Sequence, residues 1–139
     1  MNYYDEHAKE FIQNTINCNM KDIYDAFLKY VSTGKLLDVG FGSGRDMFYL
    51  KNKGFDVYGI DISKKLCEEA KLKGLKNVYN ISVKNMNFKS EFDCIWACAS
   101  LLHIELKNLN EALKKCDKAL KNNGIMYCSF KYGNFEGYR

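Results

Sequence analysis

The sequence predicts an α/β fold, a parallel sheet whose strands are joined by right-handed helical crossovers. Two observations carry this. Short apolar runs, such as Lys35-Leu36-Leu37-Asp38-Val39 and Phe92-Asp93-Cys94-Ile95-Trp96-Ala97, alternate along the chain with amphipathic segments of three-four spacing. A glycine-rich turn, Gly40-Phe41-Gly42-Ser43-Gly44, runs from the first of these strands straight into helix-permitting residues.

A first helix is expected from Asp5 to about Ile16, with Ala8, Phe11 and Ile12 inward. A second follows Met20, where Ile23, Tyr24, Phe27, Leu28 and Val31 share one face and Thr33-Gly34 ends the run. The first strand covers Lys35 to Val39, and the helix after the glycine turn reaches Lys53, closed by Gly54. Phe55 to Asp61 reads as the second strand. Ser63 is a good N-cap for the next helix, which carries Leu66 and Ala70 and stops at Gly74. A third strand is expected from Asn77 to Val83 and a fourth from Phe92 to Ala97. Leu106, Leu109, Leu113, Cys116 and Leu120 then mark the apolar stripe of a long helix, and Asn122-Asn123-Gly124 turns the chain into a fifth strand, Ile125 to Phe130.

At 139 residues, the chain has room for one domain: N-terminal helices over residues 1–34 forming a cap, and an α/β core over 35–139. Being 47% hydrophobic and 14% aromatic, it can bury enough surface to offset its ordering entropy. No apolar run approaches the roughly 18 residues of a membrane span, and the N-terminus lacks the pattern of a secretory signal, so a cytoplasmic location is expected and no membrane partner. The net charge of +4 is spread along the chain. Its two arginines, Arg45 and Arg139, do not suggest base reading, so nucleic acid is not indicated as a partner. Six cysteines, Cys18, Cys67, Cys94, Cys98, Cys116 and Cys128, form no C-x-x-C pair and no zinc-like cluster. They read as reduced, mostly buried thiols, and no metal is expected.

The chemistry is concentrated in Asp38-Val39-Gly40-Phe41-Gly42-Ser43-Gly44. Glycines here permit a tight turn and let a ligand approach the main chain. Tight turns use glycine in any case, so the cluster alone is a weak signal. Its spacing is G-x-G-x-G, whereas the dinucleotide fingerprint G-x-G-x-x-G would put its last glycine on Arg45. Asp61 ends the second strand about twenty residues on, where a carboxylate accepts ribose hydroxyls. The two together describe a pocket for a nucleoside bearing a group other than phosphate.

With these residues the sequence resembles the class I S-adenosylmethionine-dependent methyltransferases. Leu36 to Gly44 is similar to their first motif, Tyr58-Gly59-Ile60-Asp61-Ile62-Ser63 to their second, Phe92 to Ala97 to their fourth-strand motif, and Leu120 to Ile125 to the turn before their fifth strand. Gly44-Arg45-Asp46, Ala99-Ser100-Leu101-Leu102-His103 and Ser129-Phe130-Lys131-Tyr132-Gly133 look most like small bacterial enzymes of the tellurite-resistance and type-11 and type-12 kind. The resemblance implies a Rossmann-like three-layer sandwich with strand order 3-2-1-4-5, S-adenosyl-L-methionine as cofactor and a small-molecule methyl acceptor. It implies that Gly40, Gly42 and Gly44 pack against the methionine portion and that Asp38 braces the turn. Asp61 would hold both ribose hydroxyls, Ile62 and Val83 would flank the adenine, and Ala97 would offer backbone near the methionine. Arg45 would meet the methionine carboxylate or else be a solvated helix-start residue.

Three departures stand out. Ser82 replaces an Asp that bonds the adenine amino group in many relatives, and Phe41 fills a position usually small. Relatives also continue through another helix and an antiparallel strand pair, so the fifth strand is expected to be an edge: either the sequence is a fragment, or a partner chain or second copy covers that edge. His103 is the candidate catalytic base, acting near an unperturbed pKa of about 6.5. The plainer account is a helix-start histidine with a local hydrogen bond. Tyr3 and Tyr4 would form a lid or a hydrophobic cap, and Trp96 is read as core, its ring N–H satisfied by one acceptor. Two rivals remain: a non-catalytic module that binds cofactor or a partner protein, and a nicotinamide-dependent oxidoreductase.

Overall fold

The computed structural model describes residues 20–98 and 106–129. The first expected helix, Tyr3, Tyr4, Cys18, His103 and the segment from Phe130 onward lie outside these residues.

The elements are α1 (Lys21–Leu28), β1 (Gly34–Val39), α2 (Arg45–Asn52), β2 (Phe55–Ile60), α3 (Lys64–Leu72), β3 (Val78–Tyr79), a 3-10 turn (Val83–Asn85), β4 (Phe92–Cys98), α4 (Leu106–Ala119) and β5 (Leu120–Ser129). All strand pairs are parallel, in the order β3-β2-β1-β4-β5. That is the order the resemblance implied.

The sheet is covered on both faces, which is why its strands read as continuous apolar runs. Leu36 and Leu37 are adjacent in β1, point to opposite faces, and are both fully buried. Leu36 joins Tyr24 and Phe27 of α1, Met47 and Leu50 of α2, Leu66 and Ala70 of α3, and Trp96 of β4. Leu37 joins Val39, Ile60, Ile95 and, from α4, Ala112, Cys116 and Ala119. Ser63 caps α3 as its sequence position predicts, its hydroxyl accepting from the Leu66 N–H at 3.2 Å.

Three expectations are corrected. β3 is two residues long, not seven, because only Gly59↔Val78 and Ile60↔Tyr79 pair. The chain then leaves the sheet, and Ser82 caps the 3-10 turn by accepting from the Asn85 N–H at 3.3 Å. β5 starts at Leu120 rather than Ile125. Its register jumps from Phe92↔Leu120 to Cys94↔Ile125, so the expected Asn122-Asn123-Gly124 turn is a bulge within the strand, with Asn123 left-handed at φ +67°. Finally, Leu113 is 38% exposed and lies off the line of Ala112, Cys116 and Ala119, which are buried among the described residues of α4. Small side chains let that helix lie close to the sheet, and Leu113 sits one residue round from them.

Among the described residues, β5 pairs with β4 alone. No helix among them is long and apolar enough to cross a membrane. No group of His, Cys, Asp and Glu among them could hold a metal ion.

Candidate functional site

The bend between β1 and α2 lies at the carboxyl end of the sheet, beside the end of β2. This is where open parallel sheets bind ligands, because the strand order reverses direction there. Gly44 occupies the N-cap position of α2 with φ +82°, and a Cβ at that position would come within 3.2 Å of Leu75 Cδ1. Both the backbone and the space therefore call for glycine. The bend is tied to β2 by the Gly40 and Phe41 N–H groups, which donate to the Ile60 carbonyl at 2.8 and 3.3 Å.

Phe41 finds its room at Gly59. A Cβ on Gly59 would stand 2.7 Å from Phe41 Cδ2 and 2.6 Å from Met47 Sδ, so the absence of a side chain in mid-strand is what admits the ring. Phe41 is buried.

Asp61 stands directly against the bend. Its Oδ2 accepts from the Gly42 N–H at 3.0 Å and its Oδ1 from the Ser63 N–H at 2.9 Å. These bonds fix the orientation of the carboxylate against the bend. The Asp61 carbonyl is held in turn by Asn80 Nδ2 at 3.0 Å. Ile62, next in sequence, is 42% exposed, as a residue forming the wall of an open cleft would be. Val83 and Ala97 are both buried in the α4 side of the core.

Arg45 is partly buried and turned onto its neighbour in the helix. Its Nε donates to Asp46 Oδ1 at 2.9 Å and its Nη2 to Asp46 Oδ2 at 3.4 Å. Asp46 is the residue whose importance the sequence concealed. It is buried, and besides Arg45 it accepts from the Tyr24 hydroxyl of α1 and, at 2.8 Å, from Trp96 Nε1 of β4. An acid in a helix's first turn is ordinary in sequence, and these partners lie 22 and 50 residues away. The core role and single acceptor expected for Trp96 are both present. Burial, then the bond to Asp46, pushes the Tyr24 phenol well above its ordinary pKa, so it stays a donor.

Asp38 differs from these. It lies at the end of β1, opposite Trp96 of β4 in register, and is buried. Its Oδ2 has no hydrogen-bond partner among the described residues, so that oxygen does not brace the turn as the resemblance implied. Burial, then the charges of Asp46 and Asp61, push its pKa well above the usual carboxylate range, with Arg45 pulling the other way. A buried acceptor without a donor is what a site lacking a cationic or donor-bearing ligand presents. The residues here thus suit a ligand that brings such a group.

The parallel sheet, its 3-2-1-4-5 order and the glycine bend facing Asp61 define the class I methyltransferase fold. A family model described as a methyltransferase domain matches residues 37–128. The chain belongs to that family, among the class I S-adenosylmethionine-dependent methyltransferases. It is 36% identical over 98 residues to the ubiquinone biosynthesis O-methyltransferase of Pelagibacter ubique, a match covering 67% of this chain and 40% of that protein. It is 31% identical over 112 residues to the phosphoethanolamine N-methyltransferase of Plasmodium falciparum, covering 73% of this chain and 42% of that one. The crystal structure of the PH0226 protein from Pyrococcus horikoshii superimposes with a TM-score of 0.71 at 28% identity, over 79% of this chain and 56% of that one. The chain thus spans less than half the length of the two relatives named first.

Proposed function

We propose that this chain binds S-adenosyl-L-methionine in the cleft above the glycine bend and transfers its methyl group to a small-molecule acceptor. The observation that carries this reading is the Asp61 carboxylate bonded to the Gly42 N–H, which sets an acid at the end of β2 directly against the glycine bend. Family membership over residues 37–128 supports it independently.

When bound, the cofactor supplies an activated methyl on a sulfonium, which passes to an acceptor lone pair as the C–S electrons return to sulfur. The chain's own contribution is alignment and exclusion of water. Asp61 accepts from the two ribose hydroxyls. The Gly40, Gly42 and Gly44 backbone lies along the methionine portion, and Arg45, already seated on Asp46, meets its carboxylate. Ile62 and Val83 flank the adenine, and the Ala97 backbone stands near the methionine. His103, outside the described residues, serves as base where the acceptor must lose a proton. The two relatives named above methylate oxygen and nitrogen respectively, so a small polar metabolite is the acceptor class proposed.

Isothermal titration tests the reading. S-adenosylmethionine and S-adenosylhomocysteine should bind, and Asp61→Ala should weaken both at least about tenfold, the effect of losing charge-assisted hydrogen bonds worth about 1.5–3 kcal/mol. Failure of the wild type to bind either, or tighter binding of NADH, would overturn it.

A further inference from the structure

Three carboxylates meet at the glycine bend, and they are not equivalent. Asp61 accepts from two backbone N–H donors. Asp46 is held by the Tyr24 hydroxyl, the Trp96 ring N–H and the Arg45 guanidinium. Asp38 is buried beside both, with Oδ2 unpartnered among the described residues. Three negative charges cannot share so dry a space cheaply, and Arg45, the cation that acts on Asp38 among the described residues, already faces Asp46. If one acid keeps a proton, it is Asp38, whose buried Oδ2 has no donor among the described residues to satisfy a charge.

We propose that Asp38 is a neutral acid in the empty cleft and gives up its proton when a ligand bearing an ammonium group arrives, so that cofactor uptake releases one proton to solvent. This rests on the methyltransferase reading and deepens it. The carboxylic acid loses H⁺ to buffer, and the resulting carboxylate stands opposite the ligand's ammonium; no other bond is made or broken. Among the described residues, the groups around Asp38 are Asp46 and Arg45 from α2, Asp61 from the end of β2, uncharged Trp96 from β4 and, beyond Asp46, the Tyr24 phenol of α1, which stays protonated.

The sign follows from linkage. A carboxyl raised in the empty protein and ionised in the complex makes binding weaken as pH falls below its raised value, by about tenfold per pH unit. It also restricts the effect to ligands that carry the ammonium. Isothermal titration of S-adenosylhomocysteine in buffers of low and high ionisation enthalpy, repeated between pH 5.5 and 8, counts the protons. Close to one should be released at the acid end, fewer as pH rises. Methylthioadenosine, which lacks the amino-acid portion, should release none. Asp38→Asn, neutral at every pH, should abolish the release and flatten the pH dependence of S-adenosylhomocysteine affinity.

Buffer-independent binding enthalpy for the wild type throughout that range would overturn the proposal while leaving the cofactor assignment standing. Equal release with methylthioadenosine, or undiminished release in Asp38→Asn, would also overturn it. Absence of any binding by the wild type would remove both. The comparison of two ligands on the wild-type protein stands even if Asp38→Asn fails to fold.

Discussion

The two faces of the sheet are built by different means. On the face covered by α1, α2 and α3, rings are piled around a buried acid: Tyr24 stacks on Tyr49 at 3.9 Å between centroids and Trp96 on Tyr127 at 4.4 Å, while Asp46 takes the Tyr24 and Trp96 donors. On the face covered by α4, the helix approaches through Ala112, Cys116 and Ala119, and no polar or charged side chain is buried in that packing among the described residues. The polar and charged groups buried among them, Asp38, Asp46, Asp61 and Ser63, all cluster at the carboxyl ends of β1 and β2 or just beyond them. Polar burial is thus confined to the end of the molecule where a ligand would sit. The far face needs only close packing. The same sheet serves both, and the two should fail in different ways when altered.

The largest effect is expected at Asp46. Asp46→Ala leaves a buried phenol and a buried indole N–H without their acceptor and cuts the contact that joins α1 to α2 and β4. Removing one partner of such a buried charged network costs about 3–5 kcal/mol, a large share of the 5–15 kcal/mol typical of whole domains. Urea unfolding followed by Trp96 fluorescence should show it, and Asp46→Asn, which keeps one oxygen acceptor, should recover part of the loss. A midpoint unchanged by Asp46→Ala would mean that the network contributes nothing and that the contrast between the faces is only compositional.

Next comes Gly59. Adding one methyl group there would crowd Phe41 and Met47 at 2.7 and 2.6 Å. Since Met47 can shift but the Phe41 ring is enclosed, Gly59→Ala should destabilise by about 1–3 kcal/mol, the usual cost of overpacking. Because Phe41 belongs to the bend, the same variant should weaken S-adenosylhomocysteine binding, whereas overpacking on the α4 face should leave binding alone. Parallel thermal unfolding and titration separate the two. Loss of stability without loss of affinity would detach Gly59 from the site.

How far the sequence could be read depended on whether a feature was local. The strand-turn-helix of Leu36 to Gly44 and the cap at Ser63 are set by residues within a few positions of one another, and the structure has them as expected. Asp61 was legible because a carboxylate at a second strand's end has a fixed relation to the first turn, and its bond to Gly42 follows from the pairing of β1 with β2. Asp46 was not legible, since its partners arrive from α1 and β4 by tertiary packing alone. The room for Phe41 was equally hidden, because Gly59 looks like any strand glycine until Met47 and Phe41 are seen to close over it. The end of β3 is not legible in the sequence because Ile81 and Val83 alternate with polar residues as a strand's would, while only the pairing with β2 decides where the strand ends, and that pairing stops at Tyr79. Leu113 was misread because leucine weighs more heavily in an apolar stripe than alanine, although alanine permits the closer approach.

That last error gives the smallest and most local test. Truncating Leu113, 38% exposed in α4, removes a side chain already partly in water, so Leu113→Ala should cost less than the roughly 2–5 kcal/mol of a fully buried leucine. Ala112 is its neighbour in sequence but 3% exposed against the sheet, and there the sign of the size change reverses. Ala112→Leu adds bulk where the helix and sheet are already in contact, and should cost about 1–3 kcal/mol. Thermal unfolding of the two variants side by side reads the orientation of α4 directly. Should Leu113→Ala prove the more damaging, the buried face of the helix runs through the leucines after all and the small-residue packing of that side is wrong.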